Sequence, residues 1–357
     1  NAIGIVANEN KYHPIRDYLS ALVWDGTERI RFCLRHFLGA DADDYTYEAL
    51  KLFLLGAISR AFKPGCKFEV MLCLVGGQGA GKSSFFRLLA VNDDWFSDDL
   101  KKLDDENVYR KMQGHWIIEM SEMIATANAK SIEEIKSFLS RQKETYKIPY
   151  ETHPADRKRQ CVFGGSSNTL DFLPLDRTGN RRFVPVMVYP ERAEVHILAD
   201  EQASREYINQ MWAEAMEIYR SGNFRLRFSP AMNDYLKAHQ KDFMPEDTKA
   251  GQILDYLERY SGSIVCSKQL YKEALGHDYD EPKQWELREI NDIMNNAVTG
   301  WMAFSNPRYF PEPYRRQKGW ERIRNDNEPD NSMDGFQEIP TEEMEQLGLP
   351  EEWLKQK

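Results

Sequence analysis

The segment that decides the fold runs from Phe68 to Leu89 and reads FEVMLCLVGGQGAGKSSFFRLL. An apolar, extended run leads into a glycine-rich loop, and an amphipathic helical pattern follows it. Residues 76–83, GGQGAGKS, fit G-x-x-x-x-G-K-[ST] in full, with the strand before and the helix after that this motif requires. A chance match in a surface loop is the alternative, and the flanking pattern favours a loop that binds nucleotide phosphates.

Each residue type in this motif has a physical role. Glycines let backbone N–H groups converge on phosphates at a helix N-terminus, a lysine reaches the outer phosphates, and a serine hydroxyl is placed to ligate Mg²⁺. We therefore predict ATP and Mg²⁺ as ligands. The residues predicted to bind them are Gly76, Gly77, Gln78, Gly79, Ala80, Gly81, Lys82, Ser83 and Ser84.

Composition limits the class of protein. The chain has 357 residues, 41% of them apolar, which is enough for several packed cores. Its apolar runs are too short to span a membrane, and its five cysteines form no CxxC pair, so we expect a reduced cytoplasmic protein.

The negative charge of the chain is concentrated at its end. Of the net charge of −10, residues 326–357 contribute −8, from ten acids and two lysines. The rest is nearly neutral, so local basic patches decide whether it binds nucleic acid.

Hydrophobic periodicity predicts the domain order. Residues 1–63 are expected to be a helical lead-in domain. Short apolar strands alternate with helical patterns across residues 64–245, which predicts an α/β sheet covered by helices. A polar break near Pro245 separates residues 246–325, which hold short helices and an aromatic, basic end. Residues 326–357 are predicted to be an acidic, flexible tail.

Hydrolysis at a phosphate loop also needs an acid at the end of a neighbouring strand. The stretch HWIIEMSEM offers Glu119 and Glu122, which we assign as a pair that supports Mg²⁺ through water and acts on the nucleophile, without deciding which does which. The strand QCVFGGSS ends before Asn168, whose amide is placed to reach the γ-phosphate or its water. A surface charge or a turn-forming asparagine would be the ordinary interpretation of each alone.

Arg181 and Arg182 stand at the start of the apolar strand RRFVPVMVY. Adjacent strand residues point in opposite directions, so one arginine can pair internally while the other projects outward. An outward arginine at a subunit edge is suited to act as a finger in a neighbour's ATP site. A surface salt bridge is the alternative.

Together these segments, with YHPIRDYLSALVWDG, IKSFLSRQKETYKIPYE and DRTGNRRFVPV, resemble the virulence-associated protein E family of phages and pathogenicity islands. That family is related to superfamily 3 and poxvirus-type primase-helicases of the AAA+ class. The resemblance covers residues 5–325 and implies an AAA+ P-loop core, a winged-helix-like domain after it, and a hexameric ring in a bacterial host. It also implies that residues 76–83 are Walker A, that the two glutamates are Walker B, that Asn168 is the sensor and that Arg181 or Arg182 is the finger. The departure is that Walker B reads E-M-S-E instead of two adjacent acids.

The same resemblance gives two basic segments a role. In superfamily 3 helicases a hairpin between Walker B and the sensor lines the ring pore, and basic and aromatic residues suit a single strand. The pore residues so predicted are Lys143, Lys147, Arg157, Lys158 and Arg159. In the last domain Arg315, Arg316 and Lys318 are predicted to contact duplex backbone. A solvated loop and a small aromatic core are the respective alternatives.

Three functions fit these features to different degrees. The leading hypothesis is an ATP-driven DNA helicase or replication initiator. A loader or replication-interference module would hydrolyse ATP and bind DNA without unwinding it. A P-loop small-molecule kinase would be a monomer whose turnover is indifferent to DNA, and the arginine pair after Asn168 argues against it.

Overall fold

The computed structural model describes residues 12–100, 103, 108–121, 129–146, 155–173, 175 and 180–323. The chain divides into two compact units, with the boundary in the sequence between Asp247 and Thr248. Residues 12–63 are described with the sheet, as part of the first unit, because their helices share one hydrophobic core with it.

The first unit is built on a five-stranded sheet in the order β2-β3-β6-β1-β7. Every neighbouring pair in this sheet is parallel. The strands predicted from the apolar runs are confirmed, and a separate antiparallel hairpin, β4 with β5, lies between β3 and β6 in sequence. The strands of the first unit are β1 Met71–Val75, β2 Phe96–Ser97, β3 Ile117–Ser121, β4 Lys143–Tyr146, β5 Ala155–Lys158, β6 Val162–Ser167 and β7 Phe183–Met187.

Helices cover this sheet, as the alternating pattern predicts, and the α/β class is confirmed. The helices of the first unit are α1 Pro14–Ala21, α2 Ile30–Leu38, α3 Asp44–Phe62, α4 Lys82–Leu89, α5 Val108–Met112, α6 Ala129–Leu139, α7 Glu201–Ser221 and α8 Pro230–His239. A 3₁₀ turn, Gln240–Phe243, follows α8.

The core explains why α3 is apolar around its circumference. This helix is buried along most of its length, and it packs beside the sheet and α7. Two stacked indoles, Trp116 before β3 and Trp212 on α7, lie 4.5 Å apart between ring centroids. Each satisfies its N–H with a backbone carbonyl, Trp116 with Ala57 and Trp212 with Leu89. Buried N–H donors need such partners, so these bonds hold the helices in register with the sheet.

The second unit has its own small core. A three-stranded antiparallel sheet in the order β8-β12-β9 packs with three helical segments. A two-stranded hairpin, β10 with β11, lies between β9 and β12 in the sequence. The elements are α9 Thr248–Arg259, β8 Ile264–Cys266, α10 Ser267–Gln269 with a π turn Leu270–Ala274, α11 Gln284–Asn296, β9 Trp301–Ala303, β10 Arg308–Phe310, β11 Arg315–Gln317 and β12 Gly319–Arg322.

Among the described residues, no helix is both long and apolar enough to cross a lipid bilayer.

Candidate nucleotide-binding site

The glycine-rich loop connects the carboxyl end of β1 to the first residue of α4. Gly79 and Gly81 both have positive φ, +82° and +78°, a region that residues with a Cβ rarely adopt. A Cβ on Gly76 would meet the backbone oxygen of Val188 at 2.4 Å, whereas one on Gly77 would meet nothing within 4 Å. The loop is therefore packed against the chain after β7 on one side and open on the other.

Lys82, the first residue of α4, folds its side chain back over this loop. Its Nζ donates to the carbonyl oxygens of Gly76 and Gly77, at 2.7 and 2.8 Å, and to Oδ1 of Asn168, at 3.0 Å. Burial lowers the pKa of this ammonium group, and the nearby Glu119 carboxylate opposes that shift. A partly desolvated cation thus stands at the mouth of the loop.

Glu119, in the middle of β3, is fully buried and reaches the same point. Its Oε1 accepts hydrogen bonds from the hydroxyls of Ser83, at 2.7 Å, and Ser166, at 2.6 Å. Its Oε2 is buried and bonds to no described residue. Burial raises the pKa of this carboxyl, although the two hydroxyls and Lys82 lower it.

Strand register explains why these side chains meet. Val75 of β1 pairs with Ser167 of β6, and Ser121 of β3 pairs with Ser166. The three strands therefore end at one edge of the sheet, where ligands of open parallel sheets bind. The predicted residues Lys82, Ser83, Glu119 and Asn168 are brought together at this edge.

The donor set here fits Mg²⁺ with bound phosphate. Magnesium is usually held by one or two protein oxygens, with waters and phosphate oxygens completing the octahedron. The Ser83 hydroxyl and the Glu119 carboxylate are adjacent oxygens, and the unpartnered Oε2 of Glu119 needs a donor or a cation. In the described part of the chain, no cluster of three or more His, Cys, Asp or Glu side chains is arranged to hold a metal by itself.

A cavity of about 360 Å³ opens at the same edge, on the β7 side. Its wall includes Val186, Met187 and Tyr189, which belong to or follow β7, and an aromatic group of Tyr45, Tyr235 and His239. The rings of Tyr45 and Tyr235 lie 5.2 Å apart between centroids. Asp41, Asp43 and Asp242 also line the cavity. This cavity was not predicted, because its lining residues come from four separate segments of the sequence.

Arg181 and Arg182 lie at the opposite edge of the sheet. They precede β7, whose first residue pairs with Met71, the first residue of β1. Both guanidiniums pair with Glu69, Arg181 at 3.1 Å and Arg182 at 3.4 Å, so they do not simply diverge as the strand pattern suggests. Arg182 also donates to the Ser140 hydroxyl at 2.9 Å, whereas the Arg181 side chain is 68% exposed. Arg181 is the one that projects into solvent.

Glu69 is a residue that sequence analysis missed. Partial burial alone would raise the pKa of this carboxyl, but the Ser140 hydroxyl and the two guanidiniums lower it below its ordinary value. It therefore carries a full negative charge near neutral pH and holds both arginines. The only available sequence signal was an acid just ahead of an apolar strand. Ser166, the second hydroxyl on Glu119, was also missed, although it stands two residues before Asn168.

The predicted pore residues on the β4–β5 hairpin differ in their exposure to solvent. Lys143 and Lys158 are exposed cross-strand neighbours, and Arg157 is half-buried. Lys143 forms an exposed ion pair with Asp156. Two predicted site residues, Glu122 and Lys147, lie outside the described residues.

The prediction that Arg159 contacts DNA does not fit its position. Its side chain is fully buried, forms an ion pair with Glu144, and donates to the Phe138 carbonyl at 2.7 Å. The guanidinium lies over the rings of Phe138 and Phe163, 4.6 and 5.1 Å from their centroids. Arg159 therefore anchors the base of the hairpin in the core, because the chain turns inward there on its way to β6.

In the second unit, Arg315, Arg316 and Lys318 are exposed on or next to β11, as a surface role requires. Arg315 pairs with Glu312 on the same hairpin. Phe310 and Trp320 are buried, so these two aromatic residues of the segment belong to the core, and Tyr309 is exposed.

A search of curated proteins finds no match. Among solved structures, "The A form apo structure of NrS-1 C terminal region-CTR" aligns with 85% of this chain and 78% of that chain, at a TM-score of 0.50 and 14% identity. "The apo structure of NrS-1 C terminal region (305-718)" has the same coverage, a TM-score of 0.48 and 13% identity. At such identity the likeness concerns the fold alone.

The family match is more direct and agrees with the resemblance inferred from the sequence. The Virulence-associated protein E-like domain matches residues 19–245, which include the whole glycine-rich loop, β3, β6 and the arginine pair. This match spans more than half of the chain, and the chain belongs to the virulence-associated protein E-like family.

Proposed function

We propose that the chain is an ATPase that moves or unwinds DNA, a helicase or replication initiator of a phage or mobile element. The observation that carries the proposal is the meeting of Lys82, Ser83, Glu119 and Asn168 at one edge of a parallel sheet. Each of these side chains suits a distinct part of a nucleoside triphosphate and its metal. The family membership and its relation to superfamily 3 helicases point to DNA as the object of the work.

Lys82 is held ready for an outer phosphate. Its three present partners are neutral oxygens, and a phosphate oxygen would replace at least one of them with a charge-assisted bond. Partial desolvation strengthens that interaction because less water competes for the cation. The first-turn N–H groups of α4 add donors that have no intrahelical acceptor.

Glu119 and Asn168 would flank the γ-phosphate of a bound nucleotide. Mg²⁺, when bound with the nucleotide, would neutralise phosphate charge next to the Ser83 hydroxyl and the Glu119 carboxylate. Asn168 offers its amide to the γ-phosphate or to the attacking water, and Lys82 holds its Oδ1, which leaves the N–H₂ group as the donor on the free side. We assign Glu119 to the metal's water shell, and Glu122 to the nucleophile.

The cavity beside β7 is proposed to take the nucleobase. It lies on the far side of β1 from Glu119, which is where a nucleotide would extend when its γ-phosphate points towards β3 and β6. Tyr235, which is 48% exposed, offers an aromatic face to a base. The aspartates of the wall offer acceptors to an exocyclic amine.

The arginine pair is proposed to act on a neighbouring chain. The five residues of β1 separate the arginine edge from the loop edge, or roughly 16 Å at about 3.3 Å per residue. An arginine side chain spans less than half of that, so neither can reach the nucleotide of its own chain. We propose Arg181, which is the exposed one, as the finger in a ring of subunits, and Arg182 as its support; the family resemblance implies six subunits.

The DNA is proposed to contact the β4–β5 hairpin as a single strand and the second unit through its basic hairpin. Lys143, Arg157 and Lys158 remain candidates for the first contact, and Arg315, Arg316 and Lys318 for the second. Cations on a hairpin suit a phosphate backbone without selecting sequence.

The first experiment is ATP turnover with and without single-stranded DNA, with molecular mass recorded in solution. Lys82→Ala, Glu119→Gln and Arg181→Ala are each expected to lose DNA-stimulated turnover, and ATP is expected to promote an oligomer in the parent. Mixing Arg181→Ala with Lys82→Ala subunits should restore part of the turnover, because each supplies what the other lacks. The ring proposal would be refuted if the protein stayed a monomer when ATP was added and if its turnover persisted in both Arg181→Ala and Arg182→Ala.

Strand displacement on a forked duplex then separates a helicase from a loader. If the protein is a helicase, the parent releases the displaced strand when ATP is present, and the Lys82→Ala variant does not release it. A protein that hydrolyses ATP on DNA but leaves the fork intact would be a loader or an interference module.

A further inference from the structure

The outer face of the β10–β11 hairpin presents an exposed aromatic ring among cations. Tyr309 and Arg316 are directly paired across the two strands, so their side chains stand on the same face. Tyr309 is 68% exposed, and Arg316 and the nearby Lys318 are also exposed. The inner face instead carries Phe310, which is buried. The hairpin therefore has one face in the core and one face with a distinct chemistry in solvent.

The cations on this face have few partners. Arg316 makes one bond, from Nε to the Pro307 carbonyl at 3.4 Å. Lys318 and the Tyr309 hydroxyl make no hydrogen bond or ion pair with any residue that the structure describes. Arg308 and Arg315, by contrast, are paired with Glu321 and Glu312. Charge and ring surface thus remain available at Tyr309, Arg316 and Lys318.

The helix α11 of the same unit is a poor alternative surface for nucleic acid. It carries Glu286, Glu289 and Asp292 against a single cation, Arg288, a net of −2. A negatively charged helix repels a phosphate backbone. Between Arg308 and Lys318 there are four cations and one acid, a net of +3. The positive charge of this unit is concentrated on the hairpin.

We propose that this face, Tyr309 with Arg316 and Lys318, binds unpaired nucleotides, with a base stacked on the Tyr309 ring and flanking phosphates on the two cations. The inference rests on the proposed DNA function and specifies which form of DNA this unit recognises. Cations alone would serve a duplex backbone equally well. An exposed ring gains stacking energy only from a base whose face is free, as in a single strand or at a junction.

Exposed tyrosines occur on many surfaces without a ligand, and the chain contains a matched example. Tyr279, in the same unit, is 99% exposed but stands between Asp278 and Asp280. Its ring is as exposed as that of Tyr309 or more so, but it is flanked by negative charges. Tyr279→Ala is therefore the control for a change at Tyr309.

The test is fluorescence anisotropy of a labelled oligothymidylate of about 12 nucleotides, within the span of a typical single-strand site. The full chain carries Lys143→Ala, Arg157→Ala and Lys158→Ala as a background, so that contacts of the β4–β5 hairpin do not hide the second unit. On this background Tyr309→Ala is expected to weaken binding about 5- to 150-fold, the effect of losing one stacked base. Tyr309→Phe and Tyr279→Ala should retain the affinity.

The salt dependence of DNA affinity and binding to a blunt duplex provide two further tests. Arg316→Ala and Lys318→Ala should each reduce the slope of log affinity against log salt by about 0.7. A blunt duplex should be insensitive to Tyr309→Ala. Equal losses for Tyr309→Ala on the duplex and the single strand, or no loss on either, would overturn the proposal. DNA-stimulated ATP turnover in the parent is measured alongside, because its absence refutes the proposed function and its presence with no Tyr309 effect refutes only this inference.

Discussion

Replacing Arg159 by methionine should destabilise the first unit strongly, although this residue looks like one of three equivalent surface cations in the sequence. The substitution leaves Glu144 only 6% exposed and without its main partner. Breaking a buried pair by removing one member costs about 3–5 kcal/mol. Arg141, at 3.7 Å from Glu144 and 41% exposed, retains part of the compensation, so we expect the lower end, about 3 kcal/mol.

The assay is thermal unfolding followed by tryptophan fluorescence and circular dichroism. For a unit of this size, a loss of about 3 kcal/mol lowers the transition midpoint by about 6–12 °C. The double variant Arg159→Met and Glu144→Leu should recover to within about 1 kcal/mol of the parent, because no charge is then left buried. Lys143→Met, on the exposed pair of the same hairpin, should leave the midpoint unchanged.

Three results would refute this reasoning. An Arg159→Met midpoint within 2 °C of the parent's, which corresponds to less than about 1 kcal/mol, would mean that the pair is not buried in solution. A double variant as unstable as the single one would mean that the guanidinium acts through its packing on Phe138 and Phe163 and not through Glu144. A change in the salt slope of DNA binding with no change in stability would instead return Arg159 to the pore surface.

Further predictions concern the loop and its acid. Lys82→Ala should abolish stabilisation of the protein by Mg-ATP in thermal-shift measurements while leaving the midpoint of the free protein nearly unchanged. Gly76→Ala should lower that midpoint because its Cβ would meet the Val188 oxygen at 2.4 Å, whereas Gly77→Ala should fold normally and weaken nucleotide binding, since its Cβ stands in open space beside the loop. Glu119→Gln should abolish turnover and stabilise the free protein. Because burial raises the pKa of Glu119 above its ordinary 4.5, the folded parent holds this proton more tightly than the unfolded chain, and its free energy of unfolding falls as pH rises from 4.5 through the raised pKa. The advantage of Glu119→Gln in unfolding experiments should therefore grow over that range, and a pH-independent difference would contradict the assignment.

The loop, its strand and its helix were predictable because their sequence pattern follows from local requirements. Backbone approach to phosphate needs glycines at positive φ, such as Gly79 and Gly81, and the lysine and serine must open a helix. Glu119 and Asn168 were predictable for a related reason. Glu119 lies within an apolar strand and Asn168 directly follows one, and the carboxyl ends of neighbouring parallel strands meet at one edge of the sheet.

What escaped prediction depends on contacts between distant segments. Arg157, Lys158 and Arg159 are adjacent basic residues, and nothing local tells which one turns inward to Glu144. Glu69 holds both arginines only because the β1 and β7 strands begin side by side. The cavity beside β7 likewise combines residues from α3, α8 and the strand end, at separations in sequence of well over a hundred residues.

The sheet itself makes the proposed catalytic centre incomplete within one chain. Parallel strands put every carboxyl end, and with them the loop, Glu119 and Asn168, at one edge, while the segment that carries Arg181 enters at the other. No arginine side chain is long enough to bridge the five residues of β1, so in the proposed mechanism a transition-state arginine from this segment would come from another molecule.

Glu69 connects the two arginines to this proposed role. It shares its charge between two guanidiniums, which leaves Arg181 held at its base but exposed at its tip, and Glu69→Gln should free both arginines and lower oligomer-dependent turnover without affecting ATP affinity. Unchanged turnover in concentrated Glu69→Gln protein, with Arg181→Ala inactive, would show that the finger needs no such support.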